Sequence, residues 1–290
     1  MSAEYKKLRE QLQEVFDFWG EEINDNDTRE FKNLLADSLK HTSKFKLYRY
    51  TPPKIYNLRS FEKQTIFLSQ NGTFNDIYEG IPSDDLNGIS NFDLSLLNDS
   101  AYIACFSEKH DNLLMWSHYA DSHRGFCIEY DLKLLNLNSD ILSHIYPVLY
   151  HNQRESFPIK DIIESMRELN DSIYKNEVCD INVDKLLTLF TVKGLDWKYE
   201  REWRVIYTKK DMYDRSETNS ISKSLQILSF PCVSAIYLGY RIDPDIKSNI
   251  LEIVSRLRNT TKRKIKVYEP FLSNKNYNIN FKEVKNHTIP

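Results

Sequence analysis

Three short segments place polar, chemistry-bearing side chains inside strands that otherwise read as buried. In Leu47-Tyr48-Arg49-Tyr50 a period of two sets Arg49 on the face of Leu47, where a core side chain is expected. A guanidinium there needs either a carboxylate partner or a bound anion. Ala104-Cys105-Phe106-Ser107-Glu108 ends an apolar run on a hydroxyl. In Trp197-Lys198-Tyr199-Glu200-Arg201-Glu202-Trp203-Arg204, alternation sends Trp197, Tyr199, Trp203 and Val205 to one face and Glu200, Glu202 and Arg204 to the other. Two carboxylates then share a face about 7 Å apart at the usual strand rise. Each segment has a structural alternative. Arg49 is equally served by an ion pair with Glu200 or Glu202, Ser107 by an ordinary turn, and the Glu-x-Glu strand by a solvated edge interleaved with Lys198 and Arg204.

A fourth stretch, Asp111 to Arg124, contains an expected helix with Leu113, Trp116 and Ala120 on one face and Leu114, His118 and Asp121 on the other. His118 and His123 are five apart rather than four, and no HExxH occurs, so a metal pair on one helical face is not expected. His118 is either a hydrogen-bonded rim residue or part of a pocket wall. A basic cluster, Arg256, Arg258, Lys262, Arg263, Lys264 and Lys266, flanks the turn between the last helix and strand. It fits a nucleic-acid contact, or a solvated helix end whose cations meet the dipole.

These residues must be positioned by a mixed set of elements. Leu8, Leu12, Val15, Phe16, Trp19 and Ile23 recur at three and four, predicting an amphipathic helix over 4–22. Asp27 and Glu30 form a capping box for a second helix over 28–41, and together the two make a helical preface. Strands are expected at 46–50, 65–69, 101–107, 124–130, 197–207, 225–230, 234–239 and 264–270. Helices are expected at 111–121, 159–175, 182–193 and 243–258, a loop at 70–91 and a tail at 271–290. Strands scattered among helices predict an α+β fold. The division is 1–45 helical segment, 46–270 main domain and 271–290 tail.

Composition narrows the function. Seven glycines in 290 residues, none close enough for GxGxxG or GxxxxGK[ST], leave no glycine-rich phosphate cradle, so a bound nucleotide must be held by side chains. The cysteines at 105, 127, 179 and 232 contain no CxxC and read as core thiols of a reducing compartment. A formal net charge of −3 confines any basic site to a local patch. The N-terminus is charged from residue 4 without an apolar h-region, and no apolar run approaches the ~18 residues of a membrane helix. A cytoplasmic protein without a membrane contact is expected.

In order along the chain, Leu-Tyr-Arg-Tyr at 47–50, Phe-Asn-Asp at 74–76, Cys-Phe-Ser-Glu at 105–108, Met-Trp-Ser-His-Tyr-Ala at 115–120, His-Arg-Gly-Phe-Cys-Ile-Glu-Tyr-Asp at 123–131, Lys193 and Trp-Lys-Tyr-Glu-Arg-Glu-Trp-Arg at 197–204 resemble a bacterial family of unknown function, DUF2971, over residues 46–270. That family usually continues Phe-Asn-Asp with Pro-Phe, where this chain has Ile77-Tyr78. The succession of Arg49, Ser107 and Glu200-x-Glu202 also resembles the Arg-Ser-Glu pattern of mono-ADP-ribosyltransferases, although Cys-Phe-Ser stands where Ser-Thr-Ser is usual. The second resemblance implies a pair of small sheets, with NAD as substrate in the cleft between them. Arg49 would hold the pyrophosphate with Tyr48 beside it, and Ser107 would position the ribose and nicotinamide. Glu202 would steady the oxocarbenium-like transition state and Glu200 would orient or deprotonate the acceptor, while by the DUF2971 resemblance His118 would line the pocket and contact the cofactor. An NAD-dependent transferase or glycohydrolase, as a toxin or phage-defence effector, is the leading expectation. A nuclease or nucleic-acid-binding module with Mg²⁺ on Glu200, Glu202 and Asp76, and a non-catalytic sensor docking through the helical preface, are the alternatives.

Overall fold

Strand β4 (Ala101–Ser107) is apolar on both faces, and all seven residues of β9 (Glu202–Thr208) are buried, the pattern of central strands covered on two sides. The computed structural model describes residue 10 and residues 45–70, 74–81, 95–97, 99–136, 139–152, 159–175, 187, 189–216 and 224–284. The expected helices at 4–22 and 28–41 lie outside the described residues except for Glu10, as do Cys179 and most of the expected helix at 182–193. The order of elements is β1 (Lys46–Thr51), α1 (Ile55–Glu62), β2 (Thr65–Phe67), β3 (Ser69–Gln70), β4, α2 (Leu113–Tyr119), β5 (Phe126–Asp131), β6 (Ile145–Pro147), β7 (Leu149–His151), α3 (Ile159–Lys175), β8 (Val192–Gly194), β9, α4 (Lys209–Asp214), β10 (Ile227–Ser229), β11 (Val233–Leu238), α5 (Pro244–Thr261), β12 (Lys266–Leu272) and β13 (Ile279–Glu283). The α+β expectation holds. No described helix is long and apolar enough to cross a membrane.

Nine strands form one mixed sheet, β13-β12-β11-β5-β1-β4-β9-β6, with β3 on β4. Two-stranded sheets β2–β10 and β7–β8 stand beside it. The pair of small sheets implied by the ADP-ribosyltransferase resemblance is therefore not what the pairing gives, yet the continuous path narrows at one place. β1 pairs with β5 through six residues and β4 with β9 through seven, whereas β1 meets β4 through one Cα pair, Tyr48↔Ser107. Between the two well-paired halves the strand ladder narrows to that one residue pair.

Alternation splits the core between the two sheet faces. Leu47, Ile128, Tyr130 and Ile236 point into the larger cluster with Phe106, Trp203 and the apolar side of α5, while Tyr50, Cys127, Ala235 and Tyr237 face a smaller one with Met115 and Trp116. Asn112 caps α2 by accepting from the backbone N–H groups of Leu114 and Met115, and Trp116 Nε1 donates to the carbonyl of His110. α5, with Pro244 in its first turn and Asp243 as its cap, supplies the crossover that the parallel pair β11–β12 requires. The expected tail is partly strand. β13 pairs antiparallel with β12, and its Phe281 stacks on Trp116, because Ile279 and Phe281 alternate onto the smaller core. The strand expected from 197 begins only at Glu202, and that expected from 124 begins at Phe126, after a turn in which Asp121, Ser122 and His123 all have positive φ.

Gly125 and Gly239 close this turn against β11, with Gly239 N–H donating to Gly125 O at 2.9 Å. A Cβ on Gly239 would stand 2.3 Å from His123 O and 2.5 Å from Gly125 O, both rigid backbone atoms. Gly239→Ala is therefore expected to cost at least about 1–3 kcal/mol, read from urea unfolding. A variant as stable as the parent would refute this packing.

Candidate functional site

β8 carries Lys193 inward, and the chain then winds through a 3₁₀ turn, Leu195–Glu200, before β9. Arg201 takes a left-handed conformation, φ 46°, between the turn and the strand. Glu200 and Glu202 thus do not share a strand face as alternation suggests. They converge because Arg201 reverses the chain, and both reach Lys193: Nζ stands 2.7 Å from Glu200 Oε2 and 3.3 Å from Glu202 Oε2. A third carboxylate comes from the 74–81 turn, where Glu79 Oε2 lies 3.7 Å from the same ammonium.

Arg204, entirely removed from solvent, grips Glu202 with a fork, Nε to Oε1 and Nη2 to Oε2, both at 2.9 Å. Its Nη1 donates to the carbonyl of Phe190 at 2.6 Å and to Glu79 Oε1. Glu200 Oε1 accepts from the Tyr119 hydroxyl, which in turn accepts from Asn75 Nδ2 at 2.9 Å. Three carboxylates and two cations make up one buried cluster, with a single net negative charge when all are ionised.

The two neighbouring glutamates are tuned apart. Burial opposes the charge of Glu202, but Arg204 and then Lys193 outweigh it and hold its carboxyl down to about 2. Glu200 moves the other way: burial and the charge of Glu202 raise it, only partly offset by Lys193 and Tyr119. Lys193 is disfavoured by burial yet pushed up by Glu202, Glu79 and Glu200, so it stays protonated. Burial and Glu202 raise the Cys105 thiol well above its usual range, leaving it inert.

A cavity of about 210 Å³ opens where β1 and β4 part, with Phe74, Phe106 and Met115 on its apolar wall. Arg49, Tyr48, Ser107, Glu200 and Glu202 all line it, so the expected polar residues do meet. Arg49 is half-buried and makes no ion pair among the described residues. Its Nη2 donates at 3.4 Å to Phe67 O and its guanidinium lies 5.9 Å from the Phe106 ring, which overturns the alternative of a bridge to Glu200 or Glu202. Ser107 is buried and donates to the carbonyl of Glu200 at 2.6 Å, while accepting from Lys109 N–H. Tyr48 donates to Glu129 Oε2 at 3.2 Å.

His118 is the misplaced member. It is exposed and outside the cavity, because helical rotation turns Tyr119, the next residue, toward Glu200 instead. Asp76 does not join the glutamates either, since its Oδ1 accepts from Tyr78 N–H at 3.0 Å. Lys193 occupies the centre that Mg²⁺ would need, and among the described residues no group of His, Cys, Asp or Glu is arranged for a metal. Arg258 and Arg263 donate to the carbonyls of Ile265 and Pro231, Arg256 pairs with Glu62, and Lys264 and Lys266 face Glu283.

Fold and site together define an α+β protein whose sheet parts over an acidic, cation-braced cavity. Residues 115–205 match the model of a protein family of unknown function, DUF2971. The matched segment contains Tyr119, Lys193, Glu200, Glu202 and Arg204, so it spans most of the charge cluster, while Arg49, Glu79 and Ser107 precede it. No curated protein and no solved structure matches the chain.

The cluster makes a signed prediction for acid. A carboxyl held at about 2 in the folded chain, against an ordinary 4.5, contributes stability that is complete above the ordinary value and lost as pH falls toward 2. Glu200, raised when folded, has the opposite sign and weakens the fold as pH climbs from 4.5 through its raised value. Glu202→Gln, which takes from Arg204 and Lys193 the carboxylate they share and leaves Arg204 only Glu79, should cost about 3–5 kcal/mol near neutrality. Its deficit against the parent should shrink steadily in urea unfolding series taken from pH 5 to pH 2. A deficit that stays constant with pH would show that the fork carries no such linkage.

Proposed function

We propose that the cavity binds the nicotinamide-ribose end of NAD and that the protein is a mono-ADP-ribosyltransferase-like enzyme. The observation that carries this reading is the convergence of Arg49, Ser107, Glu200 and Glu202, far apart in the chain, on one cavity at the seam of the sheet. Its volume is below the ~300–1,000 Å³ of sites that enclose a drug-sized ligand. It accommodates one end of the dinucleotide, and the adenylate lies outward past Arg49. Arg49, with no carboxylate paired to it among the described residues, offers its fork to the pyrophosphate.

The separation of the two glutamates assigns their work. Glu202, kept ionised by Arg204 and Lys193, is the standing negative charge near the ribose, and the net charge of the cluster favours the positive charge that grows at C1′. The bond from C1′ to the nicotinamide nitrogen breaks with its electron pair going to nicotinamide. The acceptor's heteroatom forms the new bond to C1′, and its proton passes to Glu200 and then to solvent. Ser107, whose proton is committed to the Glu200 carbonyl, serves by fixing that residue's backbone. The alternative of a Mg²⁺ nuclease is disfavoured by the Lys193 ammonium standing among the three carboxylates.

Calorimetric titration with NAD and an assay of nicotinamide release test the proposal. The parent protein should bind and turn over NAD. Arg49→Lys should weaken binding about tenfold with the thermal midpoint unchanged, since Arg49 makes no ion pair among the described residues. Glu200→Gln should lower turnover by roughly a hundredfold or more. Neither binding nor nicotinamide release by the parent would end the NAD reading.

A further inference from the structure

The 115–120 and 74–76 motifs, quoted above for resemblance alone, meet at one atom. Tyr119, the last residue of α2, lines the cavity and gives its hydroxyl proton to Glu200 Oε1. Asn75, from the turn across the mouth, gives an amide proton to the same Tyr119 oxygen at 2.9 Å. All donors in this chain point one way, from Asn75 to Tyr119 to Glu200. We propose that Tyr119 is a positioning residue which, with Asn75 behind it, aims the Glu200 carboxylate into the cavity and keeps it ready to take the acceptor's proton. The inference rests on the transferase reading for its purpose, while the relay itself rests on the hydrogen bonds.

Three features support it. First, the Glu200 carboxylate has two donors, Tyr119 on Oε1 and Lys193 on Oε2, each engaging one lone pair and leaving acceptor capacity on both oxygens. Second, Tyr119 cannot itself be the base. Burial and the adjacent Glu200 hold its hydroxyl far above the ordinary phenol range, so it stays a donor at every working pH. Third, the donor order is over-determined. With the Tyr119 proton spent on Glu200, its oxygen can only accept, which fixes the Asn75 amide with nitrogen inward. Each bond polarises the next, so Asn75 strengthens the donation from Tyr119 without touching Glu200. The same turn delivers Glu79 to Arg204 and Lys193, so one short segment braces both glutamates.

The charged and titratable groups around Glu200 are Lys193 of β8, Glu202 at the start of β9, Tyr119 of α2 and Tyr199 of the 3₁₀ turn, with Arg204 and Glu79 one contact further away. Among them Tyr119 can be changed most gently. Tyr119→Phe keeps the ring and removes one hydroxyl; Asn75→Ala alters an exposed residue. Carboxyl carbon NMR of ¹³C-glutamate-labelled full chain, with Glu200→Gln identifying the signal, reads the Glu200 titration without any substrate. Loss of a charge-assisted bond should raise its midpoint by roughly one to two pH units in Tyr119→Phe, with a smaller rise in Asn75→Ala. The acidic limb of the pH profile for nicotinamide release should move upward by the same interval. An unmoved Glu200 midpoint in a folded Tyr119→Phe protein overturns the relay. Shifted midpoints in a protein that releases no nicotinamide leave the relay standing and overturn only the NAD reading.

Discussion

Lys193 and Arg204 stand among Glu79, Glu200 and Glu202 with almost no access to water, and the fold around the cavity is arranged to hold those five charges against one another, with only Glu79 Oε2 left without a hydrogen bond among the described residues. An isolated ion so placed would cost several kcal/mol, and removing one partner strands the others. Three otherwise unrelated segments are therefore tied together: the 74–81 turn through Glu79, β8 through Lys193, and the stretch from the 3₁₀ turn into β9 through Glu200, Glu202 and Arg204. The left-handed Arg201 is part of the same arrangement, since it lets two glutamates separated by one residue converge on a single ammonium. Such a cluster is weak evidence of net stabilisation, because apolar residues of equal volume often do as well. What it secures is geometry, with one carboxylate saturated and its neighbour left with acceptor capacity.

The seam explains why this geometry faces a cavity rather than a packed core. β1 and β4 are adjacent in the sheet yet share one Cα pair, so their side chains diverge away from Tyr48 and Ser107. Ser107 holds three things at that point: its pairing with Tyr48, its pairing with Glu202 across β9, and its hydroxyl bond to the carbonyl of Glu200. The same residue fastens the two halves of the sheet and sets the backbone of the tunable glutamate. Opening the halves would therefore displace Glu200, which couples the shape of the cavity to its chemistry.

Much of this was legible in the residues. Strands with dense β-branched and aromatic content, such as 101–107, and the helices at 159–175 and 243–258 follow from periodicity, because their burial is one-sided or complete along the whole element. Arg49, Ser107, Glu200 and Glu202 stood out because a polar group interrupted an apolar strand. Glu79 carried no such mark: it lies in a turn-rich stretch with no period, and only tertiary packing buries it. Tyr119 was masked by its neighbour, since a histidine attracts attention as a titratable residue and a tyrosine at a helix end does not. β13 is not legible in the residues because a short polar-apolar alternation near the C-terminus becomes a strand only when β12 offers an edge. The two halves of the sheet are local facts, whereas their junction at Tyr48 and Ser107 is a long-range one that no window of sequence contains.

The protein supplies its own comparison for the meaning of a buried carboxylate. Glu129 is as hidden as Glu200 but receives Lys46, Ser234, Tyr237 and Tyr48 as donors, and although burial opposes its charge those partners hold its carboxyl below the ordinary value. Glu202 is likewise filled, by the Arg204 fork and Lys193, and their charge holds its carboxyl down to about 2. Glu200, with Lys193 and Tyr119 as donors and a negative neighbour, is the one raised. Burial is nearly the same for all three, so depth does not distinguish them. The charges beside each carboxylate and the donors it receives do, and Glu200, with the negative charge of Glu202 against it and the fewest donors, is the one whose charged form is least favoured.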